Sequence, residues 1–186
     1  MNLYRPIIVG IAGSVLTESE QSWLTELKPC GVILFSRNIA DQAKLIILCA
    51  SLRQILGDDV VIVIDQEGGR VQRLKQPDWP QLPAALDIGK LWRKHQFKGL
   101  EAANCLGQVI GSQLANVGIS HVAAPVLDLY INGADPVIGD RAFGTTPVEV
   151  IPLATAFING VTRSGVTPIV KHMPGMGRAD IDSHQS

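Results

Sequence analysis

Short runs of nearly continuous apolar residues, spaced so that helical segments alternate with them, constrain this chain more than any other feature. The runs cover residues 7–12, 31–35, 60–65, 119–124 and 168–171. A strand with one wet face alternates apolar and polar side chains, whereas a parallel strand covered on both faces is apolar nearly throughout. Residues 17–27 open with Thr17 and carry Glu20 three positions on, the reciprocal pairing of a helix capping box. Residues 41–56 and 98–117 show apolar side chains at helical spacing, and 147–163 begin with proline, whose missing N–H is harmless in a first turn. The alternation predicts an α/β fold around a parallel sheet, with a doubly wound sheet as the alternative to a TIM-type barrel. A complete (β/α)8 barrel takes ~250 residues. A chain of 186 residues with these runs predicts a truncated (β/α)8 TIM-type barrel, about the first five βα units, as a single incomplete domain over 1–186. Residues 75–83, with three prolines, read as a loop and not as a domain linker.

Charged residues sort themselves to the carboxyl ends of these runs, where α/β folds build their sites. Val61-Ile-Val-Ile64 leads into Asp65-Gln-Glu-Gly-Gly-Arg-Val-Gln-Arg73. The run at 119–124 leads through Val126-Leu-Asp-Leu129 to Gly139-Asp-Arg-Ala-Phe-Gly144, and the last run delivers Lys171 and His172. Scattered surface charge has no reason to sort in this way. Farther on, Asp182 and His184 stand two apart, a spacing that lets a carboxylate hold one tautomer of a neighbouring imidazole and poise it for acid/base work. Gly68 and Gly69 read as a tight turn, since neither a dinucleotide fingerprint nor a P-loop lysine accompanies them. Glu67 and Arg70 read as braces for that loop, Asp128 as structural, and Asp140 as the residue that positions Arg141. His95 is expected on the surface and His121 in the core.

These residues, in this order, carry a resemblance. Gly31-Val-Ile-Leu-Phe-Ser-Arg-Asn38, Ile64-Asp-Gln-Glu-Gly-Gly-Arg-Val-Gln-Arg73, Ala124-Pro-Val-Leu-Asp-Leu129, Val137-Ile-Gly-Asp-Arg-Ala-Phe-Gly144 and Lys171-His-x-Pro-Gly-x-Gly-Arg-Ala-Asp-Ile-Asp-Ser-His184 resemble the successive signatures of the bacterial β-N-acetylhexosaminidases of glycoside hydrolase family 3. The resemblance implies an exo-acting retaining glycosidase that removes terminal N-acetylglucosamine from muropeptide fragments, or from chitooligosaccharides, in the cytoplasm, without a metal or other cofactor. It implies that Asp65, Arg73, Arg141, Lys171 and His172 bind the sugar. It further implies that His184 is the acid/base in place of the usual carboxylic acid, oriented by Asp182. The family's nucleophilic aspartate lies on a later strand, beyond the Asp-Ser-His loop, and no residue here takes that role. The resemblance therefore leaves two readings: the amino-terminal part of an enzyme completed by other residues, or a catalytically silent fragment that at best binds sugar. A β-glucosidase-type hydrolase is a weaker third. Met176 departs from the family, which often has histidine there, and puts closure of its loop in question.

Bulk composition narrows partners and location. A net charge of −1 gives no electrostatic reason to expect nucleic acid. The apolar run at 7–13 is short for a signal-peptide core, has only Arg5 before it and lacks a small-x-small cleavage site, so it reads as a strand, and no membrane partner is expected. Cys30, Cys49 and Cys105 are odd in number and in no metal or redox spacing, which reads as buried thiols of a cytoplasmic protein. An interrupted parallel sheet leaves unpaired edges at its first and last strands, so self-association or pairing with a complementing fragment is expected.

Overall fold

Strand and helix alternate from the start of the chain. The structure is a computed structural model and describes residues 4–178. Strand β1 (Arg5–Gly10), helix α1 (Glu18–Leu27), strand β2 (Pro29–Leu34), helix α2 (Gln42–Leu56) and strand β3 (Val61–Ile64) come first. A small antiparallel pair follows, β4 (Gln66–Gly68) and β5 (Val71–Gln72), then helices α3 (Ala85–Lys94) and α4 (Gln96–Asn116). Strand β6 (His121–Val122), helix α5 (Pro147–Thr162) and strand β7 (Thr167–Pro168) complete the order.

The main sheet runs β1-β2-β3-β6-β7, and every neighbouring pair is parallel. Spatial order follows chain order without a reversal. A doubly wound sheet reverses at its switch point, so this is the progression of a barrel wall. Among the described residues the wall stays open, with β1 at one edge and β7 at the other.

Local chemistry explains the elements. Thr17 caps α1 as expected: its Oγ1 accepts the Glu20 N–H at 3.2 Å while Glu20 accepts the Thr17 N–H at 2.9 Å. Asp41 caps α2, accepting the Lys44 N–H at 2.7 Å. Strands β6 and β7 are each two residues long, shorter than their apolar runs, yet the two segments stay paired beyond them. The Ile169 N–H donates to Val122 at 2.7 Å, Lys171 N–H to Pro125 at 3.2 Å, and Leu127 N–H to Lys171 at 2.6 Å. Lys171 is thereby held beside the segment that follows β6.

The main core lies between sheet and helices and includes Leu34, Ile62, Ile64, Leu52, Ile110 and Phe157. A second, smaller cluster of Val126, Ile138 and Ala142 sits under the strand ends, with Tyr130, Val137 and Met176 packed against it.

Three expectations change. Helix α3 stands where nothing was foreseen, because it follows a proline-rich loop and Ala84 gives it no side-chain cap. Only Cys49 of the three cysteines is buried; Cys30 is half-buried and Cys105 is exposed on α4. His121 is half-buried on β6, its Nδ1 2.9 Å from Ser120 Oγ, and not in the core. Of the described residues, no helix is long and apolar enough to cross a membrane.

Candidate active site at the strand ends

Asp65 is the first residue after β3, and the turn at Gly68 and Gly69, with φ of +94° and +55°, sends the chain back so that Arg73 faces it. Only glycine adopts such values without strain. Arg73 Nη2 donates to Asp65 Oδ2 at 3.2 Å, and Lys171 Nζ donates to Asp65 Oδ1 at 2.8 Å. Glu67, on β4, receives Arg141 in a two-pronged bond, Nε to Oε2 at 2.8 Å and Nη2 to Oε1 at 2.9 Å. Lys171 Nζ also pairs with Glu67 Oε1. Two carboxylates and three cations thus interlock at the carboxyl ends of the sheet.

Burial makes this network consequential. The Arg141 and Glu67 side chains are 11% and 6% exposed, and such charges persist in a protein interior only when paired. Burial works against the charge on Asp65, but Lys171 and Arg73 outweigh it and hold its carboxyl below the usual range. Burial likewise works against the Arg141 charge, and Glu67, with smaller contributions from Asp65 and Asp128, more than restores it. The loop that carries Arg141 is itself clamped. Arg70 donates to Asp140 at 2.8 Å and to the carbonyls of Pro136 and Val137 at 2.7 Å each.

His172 does not join this network but forms one of its own. Asp128 Oδ2 lies 2.6 Å from His172 Nδ1 and accepts the His172 backbone N–H at 3.1 Å, while Oδ1 accepts the Met176 N–H. A pocket of about 350 Å³ opens here, lined by Asp128, Leu129, His172, Pro174 and Arg178 among others. The question raised by Met176 has a structural answer: its backbone, and not its side chain, ties the loop down, and the side chain packs into the small apolar cluster.

The structure therefore gathers Asp65, Arg73, Arg141 and Lys171 and sets His172 in an adjoining network. Asp182 and His184 lie outside the described residues. Two expectations are corrected or sharpened. Asp140 pairs with Arg70 and not with its neighbour Arg141, whose partner is Glu67. Glu67, expected to brace its own loop, joins two separate elements by binding both Arg141 and Lys171. Its place at a strand end, two residues beyond Asp65, is the signal that could have found it.

Chemically, the site offers ionised acceptors and charged donors side by side, partly open to solvent. Hydroxyl groups donate and accept at once, and bonds to ionised partners are the stronger kind, so the arrangement suits a polyhydroxylated ligand. Among the described residues no group of three or more His, Cys, Asp or Glu is arranged to hold a metal ion.

Comparisons with known proteins point the same way. The Glycosyl hydrolase family 3 N terminal domain matches residues 8–186. A Beta-hexosaminidase of Aromatoleum aromaticum is 37% identical over 179 residues, which are 96% of this chain and 50% of that protein. Native NagZ from Neisseria gonorrhoeae matches in structure with a TM-score of 0.92 at 35% identity, over 98% of this chain and 53% of that one. NagZ from the same organism in complex with N-trifluoroacetyl-D-glucosamine gives a TM-score of 0.89 at 35% identity, over 94% and 52% of the two chains. The chain spans about half the length of the relatives it matches.

Proposed function

The chain belongs to glycosyl hydrolase family 3, and from that premise we propose that it is the amino-terminal half of a β-N-acetylhexosaminidase that removes terminal, non-reducing N-acetylglucosamine from β-linked muropeptide fragments in the cytoplasm. The observation that carries this reading is the interlocked set of Asp65, Glu67, Arg141 and Lys171 at successive strand ends. Asp65 and His172 accept from sugar hydroxyls or receive their protons in hydrogen bonds; Arg73, Arg141 and Lys171 donate to sugar oxygens. The solved relative in complex with N-trifluoroacetyl-D-glucosamine supports an aminosugar as the ligand class.

For the reaction, His184 protonates the leaving oxygen and later deprotonates water, with Asp182 holding its ring. An unperturbed imidazole titrates near pH ~6.5, so it exchanges a proton at neutral pH without the burial a carboxylic acid needs. The nucleophilic carboxylate of a retaining mechanism is assigned to residues beyond these 186.

The test is hydrolysis of an aryl N-acetyl-β-glucosaminide by the chain combined with a fragment that carries the later strands. His184→Ala should lower turnover by about 10²–10⁴-fold with little change in sugar affinity, because an acid/base acts in the transition state. Faster hydrolysis of an aryl β-glucoside would replace the aminosugar assignment with the glucosidase reading. Sugar binding without turnover would leave the silent fragment.

A further inference from the structure

Asp128 is fully buried, its side chain 0% exposed, and three N–H or ring-nitrogen partners converge on it. The His172 ring, the His172 backbone and the Met176 backbone all meet this one carboxylate. The loop it gathers is seated on the 127–129 segment by two further features. A Cβ at Gly177 would lie 2.3 Å from the Leu129 carbonyl oxygen, so only glycine allows that approach. The Met176 side chain is packed into the apolar cluster of Val126, Ile138 and Ala142. His172 is thus held from its backbone, from its ring and from the loop that follows it, and it lines the pocket of about 350 Å³.

The carboxylate decides which ring nitrogen carries the proton. Burial pushes the Asp128 carboxyl up, but the bonds from the His172 ring, Met176 and the His172 backbone prevail and keep it below its ordinary range. An ionised carboxylate only accepts, so Nδ1, 2.6 Å from Oδ2, must donate. In a neutral imidazole the other nitrogen is then bare.

We infer that Asp128 is a positioning residue that holds His172 as the Nδ1–H tautomer, leaving Nε2 as a neutral acceptor that takes a hydrogen bond from a sugar hydroxyl. This rests on the reading of His172 as a sugar-binding residue. The neighbouring cations Arg73, Arg141 and Lys171 can only donate, so His172 adds an uncharged acceptor to the site, which favours a ligand with a free hydroxyl over the same ligand with that position methylated.

Long-range ¹H–¹⁵N correlation spectra of the whole chain at pH 8 read the tautomer directly, with the His172 signals identified by their loss in His172→Gln. The expected result is a protonated Nδ1 and a bare Nε2; a proton on Nε2 overturns the inference. Asp128→Asn presents an amide that can donate to Nδ1, and it is expected to move the proton to Nε2 and weaken N-acetylglucosamine binding about tenfold. An Asp128→Asn protein that keeps both the wild-type tautomer and the wild-type affinity also overturns it. Should that variant fail to fold, the wild-type spectrum alone decides. A bare Nε2 in a chain that binds no N-acetylglucosamine sinks the sugar reading and leaves the tautomer assignment standing. Sugar binding that depends on His172 with Nε2 protonated does the reverse.

Discussion

Lys171 and Asp65 are 106 residues apart in sequence and 2.8 Å apart in space. That bond ties the end of β3 to the segment after β7 across the intervening β6, so the two charges report whether these strand ends have assembled. Lys171 also pairs with Glu67, so removing its ammonium leaves two carboxylates facing each other with one cation fewer. Lys171→Met is expected to destabilise the fold by about 1–3 kcal/mol, below the range for fully buried pairs because Lys171 and Asp65 retain some exposure. Urea unfolding of the two proteins measures it; an unchanged midpoint refutes a structural share for this pair.

Acid should weaken the fold through Asp65 and Asp128. Both carboxyls are held below their ordinary values in the folded state. Their stabilisation is therefore complete above the unfolded value near ~3.9 and is lost as pH falls through the lower folded values. Melts from pH 7 to pH 2 should show stability declining below about pH 4, with a shallower decline in Asp128→Asn. Parallel declines would show that Asp128 titrates alike in both states.

Helix α3 packs against the turn that carries Arg141 and comes closest at Gly89. A Cβ at Gly89 would lie 1.7 Å from the Phe143 carbonyl oxygen, two residues beyond Arg141. Gly89→Ala is expected to cost about 3 kcal/mol and to loosen the Arg141 loop, since backbone cannot swing aside as a flexible side chain can. A thermal melt tests the first part. Faster amide exchange at residues 137–143 tests the second, and an Ala variant as stable and as protected as wild type contradicts both.

The wall is open at both edges among the described residues, which predicts association. Ile7 and Ile8 on one edge, and Ile169 and Val170 beside the other, are all exposed. Parallel edge strands with apolar side chains on both faces have little polar surface to offer water. Light scattering at micromolar concentration should find dimers or larger species, or a mixed complex when the later strands are supplied. A monodisperse monomer with a concentration-independent melt contradicts this.

Much of this architecture was readable in the residues, for identifiable reasons. The apolar runs at 31–35 and 60–65 located β2 and β3 because both faces of those strands are covered, the runs nearer the sheet edges matched shorter or more exposed strands, and the capping pair Thr17 and Glu20 marked a helix start that the structure reproduces. Helix α3 escaped because Pro83 precedes it and no cap announces it, although Ile88 and Trp92 stand one turn apart. Asp65 and Lys171 were legible as strand-end charges, but their bond was not, since sequence shows position along the chain and not pairing across the sheet. Asp140 misled for a related reason: adjacency to Arg141 suggested a contact, whereas the turn through Gly139–Arg141 turns Asp140 toward Arg70. Asp128 looked merely structural because its three partners come from a loop more than forty residues away.

If the strand-end cluster binds sugar, a titration of N-acetylglucosamine into the chain, followed by calorimetry or by amide shifts, reveals it. Saturable binding is expected, and its loss in an Asp65→Asn protein still shown to be folded by its melt. Absence of saturable binding by the wild-type chain, or equal binding by the Asp65→Asn protein, would contradict a sugar site at this cluster.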